Sequence, residues 1–180
     1  MEMYFTALVA PEQINKEVLK WKLLMQEKYG CTVALKSPAH ITLIPPFWMK
    51  PLLENEMFPL LNAFSSYQNQ FTVQLNGFSH FKPRTLFINV NENQNLNNLY
   101  REFYGFLTLN EKLPIIKDDH PFHPHVTIAT RDLGKKSFSE AWEELSKIEY
   151  SAVWVVKSIS VLKLNKKNWD VVFTSQFKLI

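Results

Sequence analysis

Two tetrapeptides in this chain place an imidazole and a hydroxyl one residue apart: His40-Ile41-Thr42-Leu43 and His125-Val126-Thr127-Ile128. Both read His, aliphatic, Thr, aliphatic. In an extended chain, residues i and i+2 share one face. His40 and Thr42 therefore project together, while Ile41 and Leu43 anchor the opposite side. His125 and Thr127 do the same against Val126 and Ile128. Cleavage of a phosphodiester by water needs a base for the attacking oxygen and an acid for the departing one. Histidine, with a reference pKa of ~6.5, suits both roles. The two threonine hydroxyls can donate to the non-bridging phosphate oxygens and stabilise charge there. Such a scheme requires no metal ion and no organic cofactor. One His-x-Thr strand alone is an ordinary, partly buried polar pair. Two copies with the same aliphatic pattern point to a site.

Other residues near the motifs are secondary candidates for substrate contact. Trp48 follows the first motif and could stack on a base. Arg84 sits in a turn, and Arg131 just after the second motif; either guanidinium could meet a phosphate. His123 shares a face with His125 by the same i, i+2 rule. His120, His123 and His125 form a cluster behind Asp118-Asp119. Pro121 and Pro124 keep that stretch extended, and the H-E-x-x-H spacing of a helical zinc site is absent, so no metal site is expected. Only four glycines occur, with no Gly-rich phosphate loop and no nucleophilic-serine elbow. That pattern argues against NTP hydrolysis, dinucleotide chemistry and serine hydrolysis.

The motifs need elements to hold them. Met3 to Ala10 and Ala39 to Phe47 read as strands, the second closed by Pro45-Pro46. Between them, Glu12 to Lys28 has helical periodicity, with Ile14, Val18, Trp21, Leu24 and Met25 on one face and Gly30 as its stop. Leu52 to Tyr67 reads as a second helix that Pro59 could divide. Phe71 to Phe81 and Thr85 to Asn91 read as paired strands joined by Lys82-Pro83-Arg84. Gln94 to Leu109 is a third helix, Pro114 to Pro124 a loop, His125 to Thr130 a strand and Lys135 to Lys147 a fourth helix. Tyr150 to Leu164 and Trp169 to Leu179 read as a terminal hairpin. Tyr104, Trp142 and Trp154 fit core faces. The class is α/β or α+β, with two strand–helix–strand groups that each hold one His-x-Thr strand.

A hydrophobic content of 46% over 180 residues supports one real core, and 14 Phe and 5 Trp exclude a disordered chain. A net charge of +3 is too mild for a duplex nucleic-acid binder, yet allows a nucleotide or RNA end held by local cations. The lone Cys31 permits no internal disulfide and no thiolate cluster, consistent with a reducing cytosol. No stretch approaches a membrane span, and the N-terminal residues lack a signal-peptide pattern. The chain reads as cytoplasmic, with a monomer as the default.

The segments Ser37-Pro38-Ala39-His40-Ile41-Thr42-Leu43 and Phe122-His123-Pro124-His125-Val126-Thr127-Ile128 resemble the paired H-x-[TS]-x signature of the two-histidine phosphoesterase superfamily. That superfamily includes the LigT-like RNA 2′,3′-cyclic phosphodiesterases, also called 2′-5′ RNA ligases. The Ile44-Pro45-Pro46-Phe47-Trp48 continuation is closer to the smaller, YjcG-like bacterial branch. The resemblance implies an α+β fold spanning 1–180 as a single bilobal, pseudo-symmetric domain, with two antiparallel sheets and outer helices flanking a central groove. It implies hydrolysis of 2′,3′-cyclic phosphates on RNA 3′ ends or small cyclic nucleotides, with reversible 2′-5′ ligation in some members. It places His40, Thr42, His125 and Thr127 as the catalytic set. Substrate orientation decides which histidine is base and which is acid, and the assignment taken here is His125 as base and His40 as acid. One competing expectation is a non-catalytic module that holds RNA or a nucleotide in the same groove. Another is a metal-dependent hydrolase built on the His120–His125 loop, which would lose activity with chelator.

Overall fold

The computed structural model describes residues 1–116 and 120–179. Eight strands and four α-helices run in the order β1 (Glu2–Val9), α1 (Glu12–Tyr29), β2 (His40–Met49), α2 (Glu54–Ser65), β3 (Phe71–Phe81), β4 (Thr85–Val90), α3 (Gln94–Thr108), β5 (His125–Ala129), α4 (Lys135–Leu145), β6 (Ser151–Val156), β7 (Ser158–Asn165) and β8 (Asn168–Gln176). They build two four-stranded sheets, ordered β2-β1-β7-β8 and β5-β4-β3-β6, in which every pairing is antiparallel. The fold is α+β.

The two sheets correspond strand for strand. In one, β1-α1-β2-α2 supplies the edge pair. In the other, β4-α3-β5-α4 does so. Both His-x-Thr strands, β2 and β5, are therefore edge strands, and these two edges lie against each other. The helices cross between lobes: α1 packs on β5, and α3 reaches β2. One continuous apolar cluster runs through both lobes, from Tyr4, Ile41 and Leu43 to Phe103, Val126 and Ile128.

Local sequence explains most ends. Gly30 takes φ 71° and closes α1 through its N–H to the Gln26 carbonyl, with Cys31 N–H returning to Met25. Asn93 caps α3, its side-chain oxygen accepting from Leu96 N–H at 3.0 Å.

Three expectations are corrected. The strand through the first motif does not end at Pro45-Pro46 but continues to Met49. The prolines occupy an irregularity between the Thr6–Ile44 and Tyr4–Phe47 pairs, on an edge strand where missing N–H donors cost least. Pro59 does not divide α2, because Asn55, whose carbonyl loses its helical donor, is exposed to water. Tyr150 to Leu164 is not one strand. β6 and β7 belong to different sheets, and the chain changes lobe at Lys157.

Candidate active site

Each motif strand alternates as the two-residue period requires. Ile41, Leu43, Val126 and Ile128 are fully buried, while His40, Thr42, His125 and Thr127 are half-buried on the opposite face. His40, Thr42 and Thr127 line one cavity of about 170 Å³. Thr42 also lines a neighbouring cavity of about 410 Å³ that holds His125. The four side chains thus share one groove where the two edge strands meet.

The two histidines are held identically. His40 Nδ1–H donates to the Pro38 carbonyl at 2.7 Å, and His125 Nδ1–H donates to the His123 carbonyl at 2.7 Å. A carbonyl only accepts, so both rings carry their proton on Nδ1 and keep Nε2 for a ligand. Each ring also rests on a phenylalanine of the adjacent strand: Phe5 lies 4.9 Å from His40 and Phe87 4.8 Å from His125, centroid to centroid. The lobes repeat this arrangement although their sequences do not.

Helices fix the approach to each ring. From α1, Asn15 donates to the Ala10 carbonyl and accepts from Ala39 N–H, joining the end of β1 to the start of β2. Seven residues on, Lys22 Nζ donates to the Ser37 carbonyl at 2.9 Å. From α3, Tyr100 stacks on Phe122 at 3.9 Å, bracing the stretch before His125. Beyond β5, Asp132 accepts from the N–H groups of Thr32 and Val33 and ties the two walls of the groove together.

Burial lowers the pKa of His40 from 6.5 to about 4, and the charges of Lys22 and His125 push the same way. Burial also lowers that of His125, with His123 adding to the effect. Both imidazoles are neutral in the free protein at pH 7. For His40 the unfolded chain binds the extra proton between about pH 4 and 6.5, so stability falls as pH falls through that window. A His40→Asn variant should lose less stability than the original chain between pH 7 and 4.5. The difference, read from urea unfolding, is expected on the order of 2 kcal/mol. Equal losses would contradict the burial argument.

The secondary candidates separate. Arg131, with φ 55°, lines the His40 cavity. The left-handed backbone costs a residue with a side chain about 1 kcal/mol, and it turns the chain directly after β5 and Thr130. His123 lines the His125 cavity and lies 5.0 Å from Phe81. Trp48 stands 53% exposed at the far end of β2, and Arg84 at the tip of the β3–β4 hairpin; neither lines these two cavities. Asp118 and Asp119 lie outside the described residues. Among the described residues no three His, Cys, Asp or Glu side chains group closely enough to hold a metal ion. Among them, too, no helix is long and apolar enough to cross a membrane. Cys31 is buried and its thiol is pushed up to about 11.

Sequence reasoning missed Phe5, Lys22, Ser37, Phe87 and Trp169. Phe5 reads as an ordinary apolar strand residue until the β1–β2 pairing puts it beside His40. Trp169 meets Phe5 edge-on at 4.7 Å and closes the same cavity from β8.

Comparison with known proteins decides the family. The family model described as the 2′-5′ RNA ligase superfamily matches residues 10–168. The chain belongs to the 2′-5′ RNA ligase superfamily. That makes it a phosphoesterase-type enzyme. It is 29% identical over 138 residues to the Oceanobacillus iheyensis protein named "Putative phosphoesterase OB1230", covering 74% of this chain and 76% of that one. Its fold matches TT0787 of Thermus thermophilus with a TM-score of 0.72 at 18% identity over 97% of both chains. It matches E. coli LigT, in a structure complexed with 3′-AMP, with a TM-score of 0.72 at 15% identity over 99% of both chains. At these identities the two structures bear on the fold alone.

Proposed function

We propose that this member of the superfamily hydrolyses 2′,3′-cyclic phosphates on nucleotides or RNA 3′ ends without a metal ion, using His40, Thr42, His125 and Thr127. The observation that carries this reading is the matched pair of imidazoles, each fixed through Nδ1 with Nε2 left for a ligand. Water attacks phosphorus from the side of His125, whose Nε2 takes its proton. The P–O3′ bond breaks on the opposite side, and the protonated Nε2 of His40 gives its proton to the departing oxygen. The product is a 2′-phosphate, and solvent exchange restores the two rings. Thr42 and Thr127 donate to the non-bridging oxygens as charge builds on them. A 5′-hydroxyl that attacks in place of water, giving its proton to His125 while the same P–O3′ bond breaks, forms a 2′-5′ linkage, and the reverse of that step re-forms the cyclic phosphate.

Burial disfavours a charged His40 in the free protein. Its service as acid therefore depends on the countercharge of the bound phosphate. This has a kinetic signature. The singly protonated pair of the free protein is most populated where both imidazoles titrate, on the acid side of 6.5. Bound phosphate raises both pKa values. With 2′,3′-cyclic AMP in EDTA, kcat/KM should trace a bell centred below pH 6.5, and kcat a bell displaced to higher pH. A rate that climbs steadily with pH, or that needs added metal, would overturn the scheme.

A further inference from the structure

Lys22 is 3% exposed, and the histidine scheme does not use it. Its ammonium donates to one acceptor, the Ser37 carbonyl, and among the described residues no carboxylate pairs with it. A buried cation without a countercharge is costly, so such a group is normally paired. It lines a cavity of about 400 Å³ between α1, the Ser37–Ala39 turn and the β7–β8 hairpin, together with Lys16 and Lys36. Glu12 is the one acid on that wall, and it is already paired with Lys16 at 2.6 Å. Ser37 and Trp169 line both this cavity and the one that holds His40.

We propose that this cavity is a second phosphate site. It takes the 5′-phosphate of the same nucleotide whose 3′-phosphate group occupies the histidine groove, with the Trp169 ring walling the space between them. The inference rests on the proposed function and narrows it: the preferred substrate is an oligonucleotide end with a neighbouring phosphodiester, rather than a mononucleoside cyclic phosphate. The ammonium of Lys22 gains an anionic acceptor for its remaining N–H groups, and Lys36 adds charge from the facing turn. If Lys22 serves only to hold the Ser37 turn in place, its loss weakens every ligand of the groove alike.

The test compares equilibrium binding of adenosine 3′-monophosphate and adenosine 3′,5′-bisphosphate by titration calorimetry at about 0.15 M salt. The original chain should bind the bisphosphate at least about tenfold more tightly. Lys22→Met and Lys36→Met should each cut that advantage severalfold, whereas Lys20→Met, outside the cavity, should leave it intact. An advantage below about twofold in the original chain, or one unchanged in both variants, would overturn the proposal. Should Lys22→Met fail to fold, Lys36→Met and the original chain still decide it. Absence of cyclic phosphate turnover would defeat the cyclic phosphodiesterase reading separately, because the binding ratio is read without catalysis.

Discussion

Replacing either His40 or His125 by alanine is expected to lower kcat on 2′,3′-cyclic AMP by roughly 10²–10⁴-fold. The double variant should lose little more than the worse single one if, as proposed, the two rings act on one phosphorus as a unit. Asparagine at either position makes the sharper test. Its side-chain N–H can satisfy the Pro38 or His123 carbonyl that now accepts from Nδ1, but it offers nothing in place of Nε2. His40→Asn and His125→Asn should therefore fold as stably as the original chain at pH 7 and be as inactive as the alanine variants. If an asparagine variant keeps activity within about tenfold, that histidine does not transfer a proton in the rate-limiting step.

The next largest loss is expected from the threonines. Thr42→Val and Thr127→Val keep the shape and branching that suit a strand and remove only the hydroxyl. If each hydroxyl donates to a non-bridging oxygen as charge accumulates, each substitution should cost roughly 10²–10³ in kcat and much less in KM. Thr42 lines both the cavity with His40 and the cavity with His125, so its loss should be the greater. Serine at either position should restore most of the rate. A loss confined to KM would make the hydroxyls ground-state binders, and equal activity of the valine variants would remove them from the site.

The motif residues were legible because a strand's two-residue period is a strictly local rule. His40 with Thr42, and His125 with Thr127, needed no tertiary information to share a face. That the two strands meet edge to edge follows from sheet order, which periodicity does not reveal. The same limit hid the strand break at Lys157: β6 and β7 are both apolar, and the chain changes sheets in a single residue. Pro45 and Pro46 misled because proline ends an interior strand but is tolerated along an edge. Lys22 was invisible for the opposite reason. A lysine on an amphipathic helix is normally solvated, and only the close approach of the Ser37 turn buries this one. Phe5 and Trp169 look like core residues in sequence, and they become walls of the groove only through the β1–β2 and β7–β8 pairings.

The measurement that bears most directly on the central claim is phosphorus NMR of 2′,3′-cyclic AMP incubated with the protein in excess EDTA. The two-histidine account predicts that the cyclic resonance is replaced by a single 2′-monoester resonance, and that both His40→Asn and His125→Asn abolish the change. A cyclic resonance that persists, a 3′-monoester product, or turnover that survives loss of either histidine would contradict it.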